Sequence, residues 1–316
     1  MNYRKKLYLL SGLTVFLALV YIASLVFDPD RTGARRSAYT WLDPKSLDRV
    51  DGITITGAAG EEPLELRRRG GPWFAIHGGE EYPARELRVD DFLRVLSSRG
   101  EWSLRSASSS SHRNFGLEEG TAYRVQVRGG AGLPLLDILV GHGDRTGREV
   151  FVRRTGADEV RSGEDRLTVY LADRRNSWYN LRLFPEGEAG KLDVDNVQRL
   201  SLYADGEERT WSRRGADWII GGMEVARPDR NKVDAYIRGI LTTEAEDFAA
   251  PGDSPDAGSA RLVLELDDGS LRTALIGGAG ESGKRPVSVS GSPHVYVLSG
   301  WASDRIFRDA AYFETQ

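Results

Sequence analysis

Apolar and polar residues alternate between Val50 and Thr56, where Ile53 and Ile55 are interleaved with Thr54 and Thr56. This period of two predicts a half-buried strand. A turn at Gly60 and a second run from Pro63 to Arg68, with Leu64 and Leu66 on one face, predict the next strand. Gly70-Gly71 turns the chain again toward Trp73, Phe74 and Ile76. The period then changes. Val89, Phe92, Leu93 and Leu96 recur at helical spacing, one apolar stripe that predicts a helix lying on one side of a sheet. Strand patterns resume at Tyr123–Val127, Leu136–Val140, Val150–Arg153 and Leu167–Leu171.

The same order then returns. Val197–Tyr203, the turn Asp205-Gly206, Arg209–Arg213 and Trp218 repeat the opening strands, with Trp218 in the place of Trp73. An aromatic on the third strand of a small meander is most simply a core anchor. Val233, Tyr236, Ile237 and Ile240 form the second helical stripe, with Pro228 and Asp229 near its start. Strands follow at Leu262–Leu266, Leu271–Ile276, Val287–Val289 and Val295–Leu298. The closures correspond too: Val169-Tyr170-Leu171 with Trp178 and Leu183-Phe184, and Val295–Leu298 with Trp301 and Ile306-Phe307. Ser106–Ser111 and Pro251–Ala260 do not match in detail and read as loops of different length.

Ahead of both copies, Arg4, Lys5 and Lys6 precede an apolar run from Leu7 to Phe27. About 20 helical residues span a hydrocarbon core of roughly 30 Å, and this run is too long for the h-region of a cleaved signal. It predicts a retained transmembrane helix. Basic residues flank it on both sides, so the positive-inside rule gives almost no bias. The short N-terminal tail favours an N-terminus inside and the bulk on the extracytoplasmic side of the cytoplasmic membrane.

The expected fold is therefore α+β: two tandem β-rich repeats, each a mostly antiparallel sheet with a covering helix, behind one N-terminal transmembrane helix. Residues 1–40 would hold the tail, the anchor (about 7–27) and a polar tether, 41–190 the first repeat domain, and 191–316 the second.

Composition narrows the function classes. The chain has 316 residues and a formal net charge of −4, with no broad positive field for nucleic acid. It has no cysteine, which excludes disulfides, thiolate metal sites, cysteine nucleophiles and a cysteine-linked lipid anchor.

Four short stretches carry a family likeness: Asn114-Phe115-Gly116-Leu117, Ile138-Leu139-Val140-Gly141, Val150-Phe151-Val152-Arg153 and Val169-Tyr170-Leu171-Ala172. With the anchor and the Trp-containing opening strands, they resemble the bacterial domain-of-unknown-function family 4340. The resemblance implies a membrane-anchored protein, in some members an auxiliary component of an ABC-type system linked to gliding motility. It transfers no catalytic, cofactor-binding or metal-binding residue. The second copy departs from it, having no Phe-Gly-Leu before Ala260.

Candidate chemistry is sparse. Gly278-Ala279-Gly280-Glu281-Ser282-Gly283-Lys284 fits seven positions of a phosphate-binding loop, but Arg285 stands where Ser or Thr should reach magnesium. Pro286 and a strand pattern follow where a helix is required. Gly141–Gly147 occupies the equivalent place, so both read as hairpin loops. His77, His112, His142 and His294 share no ligand spacing. Ser106–Ser111 beside His112 reads as a polar loop, and Glu61-Glu62 and Glu80-Glu81 as solvated turn residues. Arg67–Arg69 and Arg174-Arg175 read as charges that blunt an exposed edge rather than a lipid-headgroup face.

The sequence thus predicts a non-enzymatic extracytoplasmic accessory or scaffold subunit of a bacterial membrane complex. An ABC-type transporter, with permease and ATPase subunits as partners, is the expected setting; no cofactor, metal or nucleic acid is expected. The alternatives are an envelope module binding a glycan or peptide, using Trp178, Tyr179 or Trp301, and an enzyme with an unrecognised site.

Overall fold

The computed structural model describes residues 16–17, 36–57, 61–185, 192–250, 252–255 and 260–315. Apart from Phe16 and Leu17, the predicted anchor Leu7–Phe27 lies outside the described residues; among these, no helix is long and apolar enough to cross a membrane. The chain divides into two compact units, Met1–Arg175 and Asn176–Gln316. The fold is α+β, strand-rich, with one antiparallel sheet in each unit and few helices.

In the first unit the strands are β1 (Arg36–Tyr39), β2 (Val50–Thr56), β3 (Leu64–Arg68), β4 (Trp73–His77) and β5 (Glu80–Pro83). Helix α1 (Glu86–Ser97) follows, then β6 (Gly100–Ser106), β7 (Tyr123–Gly129), β8 (Leu133–Gly143), β9 (Glu149–Arg154) and β10 (Val160–Glu164), and a short helix α2 (Thr168–Leu171). Their order in the sheet is β1-β6-β10-β9-β8-β7-β2-β3-β4-β5. Because β5 and β6 lie near opposite edges, α1 must carry the chain across the sheet. Val89, Phe92, Leu93 and Leu96 are its buried face, as the helical spacing predicts. Its entry is held by Glu86, whose carboxylate accepts the Trp73 N–H at 2.7 Å.

The second unit contains β11 (Val197–Ala204), β12 (Glu207–Arg214), β13 (Asp217–Gly221), helix α3 (Arg230–Leu241), β14 (Asp247–Phe248), β15 (Ala260–Leu266), β16 (Leu271–Ile276), β17 (Arg285–Val289), β18 (Val295–Leu298) and helix α4 (Gly300–Ile306). Asp229 caps α3 by accepting from the Asn231 and Lys232 N–H groups. Trp211 of β12 lies 4.9 Å from Tyr236 of α3 and 5.4 Å from Phe313, ring centre to ring centre, and fixes the helix to the sheet. Burial pushes the Tyr236 phenol upward, and its hydroxyl donates to the Ile306 carbonyl at 2.7 Å.

The second sheet runs β13-β12-β11-β15-β16-β17-β18-β14, and the first contains β4-β3-β2-β7-β8-β9-β10-β6 in the same sense. The duplication seen in the sequence is therefore a duplication of topology, strand for strand. Unit 1 adds β5 at one edge and β1 at the other.

Four readings change. Leu167–Leu171, predicted as a strand, is helical from Thr168, because the Asp165 carboxylate accepts from the Leu167 and Thr168 N–H groups and starts a turn. The strand before it is β10, whose Arg161, Ser162 and Gly163 give no apolar alternation; it is built by pairing to β6 and β9. Arg67 and Arg68 lie on β3, which is interior, so they do not blunt an edge. The end of the expected tether, Arg36–Tyr39, pairs with β6 as a strand. In addition, Trp178–Phe184, which the pattern puts at the close of the first copy, runs along Thr243–Ala245 in the second unit. The Leu183 N–H donates to Thr243 and the Ala245 N–H to Leu181.

Candidate functional site

The motifs that suggested chemistry mostly resolve into structure. Gly277–Lys284 joins β16 to β17 and closes on itself, the Gly280 N–H donating to the Lys284 carbonyl at 2.9 Å. Lys284 is paired with Glu246 at 2.8 Å. A strand follows this loop, not a helix, so no helix N-terminus stands where phosphate would sit. His112 lies on a 3-10 turn against the Asp158 carbonyl, and His77 on β4 beside Glu62 and Arg175. His142 follows β8's buried core, and His294 stacks near Phe248. Among the described residues no group of three or more His, Asp or Glu is placed to hold a metal ion. Trp178 and Tyr179 are buried in the core, whereas Trp301 is exposed, with Arg305 over its ring.

Three of the four family-like stretches meet on one face of the first sheet. The 3-10 turn Ser109–Phe115 ends at Gly116 with φ 66°, a left-handed cap that glycine adopts without strain. This turns Leu117 into a small cluster with Ala122, Leu139 and Val160, over which Phe115 and Phe151 pack with ring centres 4.7 Å apart. Gly141 lies so close below that a methyl there would overlap the Phe115 carbonyl. Arg153, only 7% exposed, donates from Nε to the Leu117 carbonyl at 3.1 Å and from Nη1 to Arg154 and Ala157. These residues lock the segment before β7 onto the sheet.

In the second unit the equivalent segment is described only at residues 252–255, where Pro255 lies against Gly277, the counterpart of Gly141. By register, Leu139 pairs with Arg124 and Leu275 with Arg261, equivalent places on equivalent strands. Leu139 is 1% exposed beneath Leu117, while Leu275 is 41% and Leu271, on the same face, 58% exposed. Ile219 on β13 is also exposed.

A cleft of about 490 Å³ opens in the first unit where the end of α1 meets strands β6 and β10. It was not legible in the sequence. Trp41 and Trp102 line it, with ring centres 5.1 Å apart and planes perpendicular. Trp102 lies across Gly163, its strand partner; a Cβ at 163 would stand 2.7 Å from the indole ring. In the second unit Leu298, paired with Arg285 of β17, stands where Gly163 pairs with Val150 of β9. The glycine is what lets Trp102 occupy this place.

Arginines and glutamates ring the cleft. Glu149 is tied down by Ser162 at 2.8 Å and Arg105 at 2.7 Å, and Glu164 by Arg166 at 2.6 Å. Arg99 and Arg148 also line the cleft, and their side chains make no hydrogen bond or ion pair among the described residues. The turn that presents Arg148 is held by Asp144, which accepts from the Thr146 hydroxyl at 2.7 Å and the Arg148 and Glu149 N–H groups. These bonds, the Thr146 hydroxyl foremost, hold its carboxyl down at about 2, against an ordinary 3.8. A depressed carboxylate stabilises the folded state fully above its unfolded value and loses that contribution as pH falls through the folded one. The Arg148 and Glu149 amides should therefore stay protected from exchange down to about pH 4 and lose protection between about pH 4 and 2. In Asp144→Asn the acid-dependent step should vanish; its persistence would mean another group governs the turn.

No curated protein and no solved structure matches the chain. A family model does, over residues 73–262, from β4 to β15 and across the boundary between the units. That span takes in all four family-like stretches and covers more than half of the sequence, and the chain belongs to this family, DUF4340, a domain of unknown function.

Proposed function

We propose that this protein is a non-enzymatic accessory or scaffold subunit of a bacterial membrane complex. It is held in the cytoplasmic membrane by residues 7–27, with its bulk on the extracytoplasmic side, and it serves an ABC-type transporter whose permease and ATPase subunits are its partners. One observation carries the reading: two exposed leucines on the outer face of the second sheet. Leu275 and Leu271 are exposed where the first sheet buries its equivalent leucine under Phe115 and Leu117. Burying a leucine fully on association contributes about 1.5–3 kcal/mol, so these two could anchor a partner. The apolar run behind Arg4, Lys5 and Lys6 supports placement beside a membrane-embedded partner.

The test is capture of the full chain from crosslinked native membranes. The wild-type chain should bring down permease and ATPase subunits in fixed ratio, and Leu271→Glu/Leu275→Glu should lose them while still folding, because both side chains are exposed. Recovery of the chain alone, or equal recovery by the double variant, would contradict the reading. A second reading, an envelope ligand-binding module, is favoured by the cleft at Trp41 and Trp102.

A further inference from the structure

We infer that the cleft of the first unit is a binding site for a phosphate ester, held by Arg99 and Arg148. The inference rests on the cleft alone and stands whether or not the second unit docks a partner. Three observations lead to it. The cleft, at about 490 Å³, is the size of a small-molecule site, with indole rings of Trp41 and Trp102 in its lining. Of its three carboxylates, Glu149 and Glu164 are already engaged by Arg105, Ser162 and Arg166, and Glu101 is partnered as well. Arg99 and Arg148 are not engaged by any described residue, so the charge left over for a ligand is positive.

Two guanidiniums favour phosphate over carboxylate. Each presents a planar fork of N–H donors, and together they offer more donors than the two oxygens of a carboxylate can accept, whereas a phosphate ester has three or more acceptor oxygens. The arrangement is also particular to one copy. Glu149 pairs with Glu164 across β9 and β10, whereas in the second unit Lys284 stands at the place of Glu149 and Leu298 at the place of Gly163.

The phosphate could belong to a soluble ester or to a phospholipid headgroup. The second source is within reach, because the eight residues between a span ending at Phe27 and β1 extend at most about 29 Å. Strand β1 pairs with β6, which carries Trp102.

The experiment uses the full chain in nanodiscs of phosphatidylcholine, with glycerol 3-phosphate added and binding read by calorimetry and tryptophan fluorescence. A second arm places the chain in discs containing phosphatidylglycerol, reading the same fluorescence change. Saturable binding in the first arm assigns a soluble ester. A fluorescence change only with phosphatidylglycerol assigns the headgroup. In either case Arg99→Gln/Arg148→Gln should weaken the response by about tenfold or more, the loss expected for charge-assisted hydrogen bonds. Arg99→Lys/Arg148→Lys, which keeps the charge but not the forks, should fall between the two. No response in either arm, or a glutamine double variant that responds like the wild type, would overturn the inference. Both arginines are exposed, and an unchanged circular dichroism spectrum of the variants separates loss of binding from loss of fold.

Discussion

Gly141→Ala is expected to destabilise the first unit by about 3 kcal/mol, at the upper end of the usual cost of overpacking. The added methyl would overlap the Phe115 carbonyl and stand 3.1 Å from both the Gly116 carbonyl and the Leu117 side chain. Two of these obstacles are backbone, which cannot rotate away. The only relief is to lift the segment Ser109–Leu117, and that would expose Leu139 and Val160 and remove the Leu117 carbonyl from Arg153. The measurement is urea unfolding of the detergent-solubilised chain, followed by tryptophan fluorescence. Gly130→Ala is the control, since a Cβ there meets nothing within 4 Å. Equal stability of the two variants would mean that the Asn114–Leu117 stretch is not locked to the sheet as described.

The second large effect lies in the other unit. Trp211→Ala should cost about 4 kcal/mol, in the range measured when a buried aromatic is truncated. Trp211 is fully buried, and its ring is the contact surface for both Tyr236 and Phe313. Its indole N–H has no hydrogen-bond partner among the described residues, so Trp211→Phe leaves no described acceptor stranded and should recover most of the loss. The same unfolding measurement checks both. If Trp211→Phe proves as damaging as Trp211→Ala, ring packing is not what holds α3 to the sheet.

Periodicity made much of this fold legible. The stripes Val89-Phe92-Leu93-Leu96 and Val233-Tyr236-Ile237-Ile240 are the buried faces of α1 and α3, and Trp73 and Trp218 are core residues. Local pattern carried these because each element buries one face, and a buried face imposes its own period on the sequence. Where an element is fixed by its neighbours instead, the pattern was silent. Strand β10 has a single apolar residue at its start, and only pairing to β6 and β9 makes it a strand. Leu167–Leu171 looked like a strand because its apolar residues are β-prone, but the Asp165 cap overrides that preference.

The cleft was illegible for the same reason. Trp41, the stretch from Arg99 to Trp102, Arg148 and Glu164 come from four separate places along the chain and share no spacing. The one local hint was Gly163, a glycine inside a strand, which often marks the close approach of another group. By contrast, the Phe115, Gly141 and Arg153 stretches were visible as short motifs, and their meeting point is a packing lock rather than a reactive site.

The central claim is that the exposed Leu271 and Leu275 of the second sheet hold a partner in the membrane. The most direct measurement is site-specific photo-crosslinking in cells, with the crosslinking residue at position 275 and, as a control, at position 54 on the first sheet. The account predicts an adduct between residue 275 and the membrane subunit of an ABC-type transporter, absent at residue 54 and abolished by Leu271→Glu. Failure of residue 275 to crosslink to any membrane subunit, with the chain intact and abundant, would contradict it.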